Sequence, residues 1–125
     1  MSMNANASKN ILLIDDDRAL RELMKMSLEL DGYGVVVAED GKKAVTLVEQ
    51  GNFDLIVLDL VMPLMDGVCF IRWLRQEQHS ETPVLIMSGA VRDGMDDELR
   101  SNGATDVLRK PVDLDTLLRK VSELL

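Results

Sequence analysis

The sequence predicts an α/β domain in which a parallel sheet is covered by helices on both faces. Three observations carry that expectation. Short apolar runs alternate five times with longer stretches of helical period, the runs are apolar throughout rather than at every second residue, and chemistry-bearing polar residues stand where the runs end. A strand buried on both faces has no need of polar positions, whereas a helix lying on such a sheet needs one apolar stripe with residues three and four apart. Right-handed crossovers between parallel strands then distribute the helices over the two faces.

Taken in order, "NILLI" (10–14) reads as the first strand. "RALRELMKMSLEL" (18–30) sets Leu20, Leu23, Met24 and Leu28 at helical spacing and stops at Asp31-Gly32. "YGVVVA" (33–38) is the second strand, and "GKKAVTLVEQ" (41–50) the second helix, with Asp40 as its N-cap and Gly51 as its stop. "DLIVLD" (54–59) is the third strand. The loop "LVMPLM" leads from it to Asp66, the expected N-cap of the helix "GVCFIRWLRQEQ" (67–78). "PVLIMS" (83–88) is the fourth strand, "DGMDDELRSNG" (93–103) a short acidic helix closed by Gly103, and "TDVLRK" (105–110) the fifth strand. "LDTLLRKVSELL" (114–125) aligns Leu114, Leu117, Leu118, Val121 and Leu125 on one stripe as the final helix. Residues 1–8, "MSMNANAS", are expected to be a flexible tail, leaving 9–125 as one domain.

Composition narrows the function. With 22 acidic against 14 basic residues and a net charge of -8, the chain is poorly suited to gripping nucleic acid, which relies on clustered Lys and Arg. No apolar run approaches the ~20 residues of a membrane span, and the amino terminus has no apolar signal segment, so a cytoplasmic location is expected. The single cysteine, Cys69, is expected to be a small core or near-core residue rather than a nucleophile. His79, in "RQEQHSET", reads as a solvated loop residue, and Phe70 and Trp73 as packing residues of the third helix.

At the strand ends stand Asp15 and Asp16, Asp59, Ser88 and Lys110. In an open parallel sheet, groups at the carboxyl ends of strands converge beside the point where strand order reverses. Each has a plain structural reading by itself: a capping aspartate, a solvated acid, a turn serine, a surface lysine. Plain readings at four different strand ends of one sheet are improbable together, and the five residues point instead to a shared pocket. Three carboxylates there repel one another unless a cation joins them, and an oxygen-only set favours a hard ion such as Mg²⁺. Such an ion, a lysine, a hydroxyl and one carboxylate together suit a phosphoryl group. Asp17 is read separately, as the N-cap of the first helix.

"ILLIDDD", "DLIVLDLVMPLMDG", "VLIMSGA" and "GATDVLRKP", in this order and spacing, resemble the receiver domain of two-component response regulators over residues 9–125. The resemblance implies a five-stranded parallel sheet in order 2-1-3-4-5 with five helices on both faces, of the flavodoxin and CheY type. It makes Asp59 the phosphoacceptor for a histidine kinase or a histidine phosphotransfer protein. Asp16 becomes the direct ligand of Mg²⁺ (or Mn²⁺), Asp15 an acid acting mainly through metal-bound water, and Asp59 and the backbone carbonyl of Val61 the remaining members of the metal set. Ser88 and Lys110 would contact phosphoryl oxygens, with the Lys110-Pro111 bond cis. The implied protein is a phosphoaccepting signalling domain rather than an enzyme acting on a separate substrate. It would be a monomer or a phosphorylation-dependent homodimer, signalling through helix 4, strand 5 and helix 5 to a partner or fused output domain.

Two departures from the family pattern bear on function. Val107 stands where receivers commonly carry an aromatic that turns inward on activation, so the change is expected to be read out by the loop after Ser88 and the Gly94-Met95 region. Val61 and Ala90 are apolar where receivers border the hydrolytic water, which implies slow loss of the phosphoryl group. Val61 also stands where an aspartyl-phosphate phosphatase of the haloacid dehalogenase type would need a second Asp. A flavodoxin-like carrier would need a Ser/Thr/Gly phosphate loop in place of "DDDR". A degenerate docking module would not need its acids, Ser88 and Lys110 intact.

Overall fold

In the computed structural model, residues 9–60, 66–89 and 95–125 are described. The elements are β1 (Asn10–Ile14), α1 (Arg18–Leu30), β2 (Gly34–Ala38), α2 (Gly41–Gln50), β3 (Leu55–Asp59), α3 (Gly67–Gln76), β4 (Val84–Ser88), α4 (Met95–Ser101), β5 (Asp106–Arg109) and α5 (Leu114–Leu124). All ten expected elements are present in their expected order. The ends differ by one or two residues, and the expected start of α4 at 93 and 94 lies outside the described residues.

The strands pair in parallel in the order β2-β1-β3-β4-β5, so the order reverses between β1 and β3. Alternation along each strand divides the core into two layers. Leu12, Ile14, Ile56, Leu58, Val84 and Ile86 face Phe70, Ile71 and Leu74 of α3, Ala44 of α2 and Leu99 of α4. Ile11, Leu13, Leu55, Val57, Leu85 and Met87 face Met24 and Leu28 of α1 and Leu117 and Val121 of α5. Strands β1, β3 and β4 are therefore apolar on both faces, while the edge strands β2 and β5 are only partly buried.

The helix starts follow from capping. Asp17 accepts a hydrogen bond from the Leu20 N–H at 3.2 Å, Asp40 from Lys43 at 2.8 Å and Asp66 from Cys69 at 2.9 Å. Each satisfies one of the donors that a helix amino end leaves without a partner. Gly103 has φ 116°, a left-handed conformation that closes α4; a Cβ there would fall 2.8 Å from Cγ of Arg75.

One expectation is corrected. Cys69 is exposed, not part of the core. The stripe of α3 that meets the sheet runs through Phe70, Ile71 and Leu74, and position 69 is rotated off it. Its thiol lies 3.4 Å from Asp66 Oδ2, and that hydrogen bond and negative charge push the thiol pKa up, away from reactive thiolate. Phe70 is buried and stacks obliquely with Trp73, ring centroids 5.7 Å apart; His79 is an exposed loop residue with φ 51°.

Candidate phosphoacceptor site

Parallel register sets the site. Ile14 pairs with Leu58, so the next residues along, Asp15 and Asp59, emerge side by side where β1 and β3 end. Beyond β3, the Leu60 N–H donates to the Met87 carbonyl at 3.2 Å, keeping the end of β3 against β4 and its terminal Ser88. The Lys110 N–H donates to the Ser88 carbonyl at 3.1 Å, which draws the end of β5 to the same edge. Gly67 permits the close return of the chain past β3. Its N–H donates to the Leu60 carbonyl at 2.9 Å, and a Cβ at this position would stand 2.8 Å from that same oxygen.

Asp15, Asp59 and Ser88 are the buried polar residues among those described, at 0%, 6% and 2% exposure. Lys110 Nζ lies 3.3 Å from Asp15 Oδ2 and 3.2 Å from Asp59 Oδ2, bridging carboxylates from the first and third strands. Burial works against its ammonium, but the charges of Asp15 and Asp59 outweigh this and raise its pKa, so it stays protonated at neutral pH. The Lys110-Pro111 peptide is cis. Asp16 is exposed at the rim, and carboxylate oxygens of Asp15, Asp16 and Asp59 all lie within 4.8 Å of one another.

This donor set fits a divalent cation. It consists of oxygens alone, with no imidazole or thiolate, and has an open side at Asp16 where water can complete an octahedron, as Mg²⁺ prefers. Asp15 is held through both oxygens: its Oδ1 accepts from the Asp17 N–H at 2.9 Å while its Oδ2 faces Lys110. Asp17 points away from the pocket to cap α1. The five polar side chains expected at the strand ends thus collect at one edge of the sheet. Val61, Ala90 and Gly94 lie outside the described residues. The sequence pattern did not single out Arg21, whose guanidinium donates to the Asp15 carbonyl at 2.8 Å. Its position one helical turn after Asp17 was the available signal.

Two clefts lined by described residues lie away from the cluster. One of about 160 Å³ lies at the opposite pole, at the amino ends of β3 and β4 beside Phe53, Ser80 and Thr82, and another lies between α1 and Val37 of β2.

A doubly wound parallel domain that gathers three carboxylates, a hydroxyl and a lysine at its strand ends defines a phosphoryl-accepting signalling module. The chain belongs to the response regulator receiver domain family, whose model matches residues 11–122. It is 38% identical over 117 residues to the response regulator MprA of Mycolicibacterium vanbaalenii, covering 92% of this chain and 49% of that protein. With MprA of Mycobacterium leprae the identity is also 38%, over 92% of this chain and 50% of the relative. The chain therefore spans about half the length of the curated relatives it matches. Among solved structures, it is similar to the Francisella response regulator 1452 receiver domain (TM-score 0.89, 35% identity, 94% of this chain and 96% of that one). It is also similar to the chemotaxis response regulator CheY4 of Vibrio cholerae (TM-score 0.87, 32% identity, 94% and 98%). As a response regulator receiver domain it serves two-component signalling, and its described helices include none long and apolar enough to cross a membrane.

Proposed function

We propose that Asp59 accepts a phosphoryl group from the phosphohistidine of a histidine kinase or a histidine phosphotransfer protein. An oxygen of the Asp59 carboxylate bonds to phosphorus as the P–N bond breaks, and the electron pair of that bond returns to the imidazole. Asp16 directly, Asp15 through water and the backbone carbonyl of Val61 would hold Mg²⁺ (or Mn²⁺), which neutralises phosphoryl charge when bound. Lys110 pairs with one phosphoryl oxygen, exchanging part of its contact with Asp59 for the product it has become, and the Ser88 hydroxyl donates to another. The observation that carries this reading is the Lys110 ammonium held between Asp15 and Asp59, at 3.3 and 3.2 Å. Such a cation offsets the approach of an anionic donor to an anionic acceptor.

The signal leaves, in this reading, through α4, β5 and α5 to a partner or a fused output domain, in a cytoplasmic setting, from a monomer or a phosphorylation-dependent homodimer. Support comes from Asp106 on β5, which takes Arg100 of α4 at 2.6 Å and Lys120 of α5 at 2.7 Å, so the three elements share one ion-paired hub. Val107 and Met95 pack against the same apolar cluster, which suits a readout by repacking in place of an aromatic swing.

Incubation with acetyl phosphate and Mg²⁺ tests the proposal by mass spectrometry. The wild-type chain gains one phosphoryl group, and both Asp59→Asn and withdrawal of the metal abolish the gain. Undiminished modification of Asp59→Asn would place the acceptor elsewhere.

A further inference from the structure

Arg21 lies in the second turn of α1, and its Nη1 donates to the backbone carbonyl of Asp15 at 2.8 Å in a part-buried contact. That carbonyl belongs to the peptide unit joining Asp15 to Asp16. A peptide unit is planar, so holding its oxygen fixes the plane that ends at the Asp16 Cα, and the Asp17 N–H held by Asp15 Oδ1 at 2.9 Å fixes the next plane; with both flanking planes held, the direction in which the Asp16 side chain leaves the backbone is restricted. The remaining polar atoms of Asp15 are held as well. Its N–H donates to the Ala38 carbonyl at 3.1 Å, Oδ1 accepts from the Asp17 N–H and Oδ2 faces Lys110. The Arg21 N–H donates in turn to the Asp17 carbonyl at 2.8 Å, so the acidic turn and the start of α1 form one braced unit.

We propose that Arg21 is a positioning residue for divalent-cation binding: it clamps the Asp15–Asp16 peptide so that the exposed Asp16 carboxylate is presented toward Asp15 and Asp59. The inference rests on the reading of the acid cluster as a metal-dependent phosphoacceptor site. Its sign separates it from a purely electrostatic role. A guanidinium beside an acid cluster repels an incoming cation, so if charge were its whole effect, removing it would tighten Mg²⁺ binding. If Arg21 orients a ligand, removing it weakens binding despite the lost repulsion, as for other groups that brace metal ligands.

Mg²⁺ affinity of the full chain, measured by calorimetry without any phosphodonor, gives the test, with thermal melting to check the folding of each variant. Arg21→Ala is expected to raise the Kd for Mg²⁺ about tenfold, and Arg21→Lys, which keeps a donor and the charge, to fall between it and wild type. With acetyl phosphate, Arg21→Ala should need more Mg²⁺ for half-maximal modification while approaching the wild-type rate at saturating metal. Equal or tighter Mg²⁺ binding by Arg21→Ala overturns the positioning role. Should that variant not fold, Arg21→Lys and Arg21→Gln carry the comparison. Affinity falling in the order Arg, Lys, Gln supports the clamp, and any other order overturns it. A wild-type chain that itself binds no Mg²⁺ would instead bring down the phosphoacceptor reading and this inference together, whereas normal wild-type binding with an unaffected Arg21→Ala sinks the inference alone.

Discussion

Three adjacent aspartates with the same chemistry have three different environments. Asp15 is fully buried and held through both oxygens, Asp16 is exposed at the rim, and Asp17 caps α1. Asp16→Ala should abolish Mg²⁺-dependent modification by acetyl phosphate with little change in melting temperature. Asp17→Ala should do the reverse, costing about 1 kcal/mol of stability in urea titration while leaving modification intact. The backbone N–H of residue 17, which holds Asp15 Oδ1, survives that substitution, so the pocket keeps its shape. Loss of modification in Asp17→Ala would refute the division. Among single residues, the capping roles of Asp17, Asp40 and Asp66 were legible in the sequence because a short acid ahead of an apolar helical stripe has few other uses. Cys69 was misread because helical spacing locates a stripe without fixing its edge, and a small apolar residue suits either side. Arg21 was missed because a long side chain reaching a carbonyl leaves no trace in the hydrophobic pattern.

Between elements, the joins that apolar packing leaves open are closed by side chains that bond to backbone. Arg75 of α3 donates to the Ser80 carbonyl at 2.9 Å, the Thr82 carbonyl at 2.7 Å and the Gly103 carbonyl at 2.8 Å. It thereby ties the end of α3 to the approach to β4 and to the turn between α4 and β5. Arg75→Ala strips three carbonyls of a charged donor and should destabilise the domain by about 2 kcal/mol in urea unfolding. Arg75→Lys should recover only part of that, since a single ammonium lacks the planar fork that serves several acceptors at once. Full recovery by lysine would show that charge, not geometry, does the tying. Apolar strands announced themselves because both of their faces are covered. The less regular joins did not, because they depend on pairs such as Arg75 and Gly103 that are 28 residues apart in the chain.

For the whole molecule, acid stability should depend measurably on the hub at Asp106. Desolvation would raise its carboxyl pKa, but hydrogen bonds from Lys120, the Val107 N–H and Arg100 outweigh that and hold it below the ordinary 3.8. A carboxyl depressed by folding stabilises the native state above its unfolded pKa, and that contribution disappears as pH falls through the folded value. Urea midpoints measured from pH 7 to pH 3 should therefore drop more steeply for wild type than for Asp106→Asn. Parallel curves would remove Asp106 from the acid response. The doubly wound architecture and the strand-end cluster were both readable from the chain. Strand order was not in the hydrophobic pattern itself and entered through the family resemblance, since apolar runs do not say which strand lies beside which. The ammonium that bridges Asp15 and Asp59 sits 95 positions along the chain from the first and 51 from the second. Its arrival requires the fifth strand to be seated against the fourth, which makes the lysine-bridged pair of acids a report on the completeness of the fold. A truncated or locally unravelled copy retains both acids yet lacks the ammonium that bridges them, so the proposed phosphoryl transfer would be tied to structural integrity.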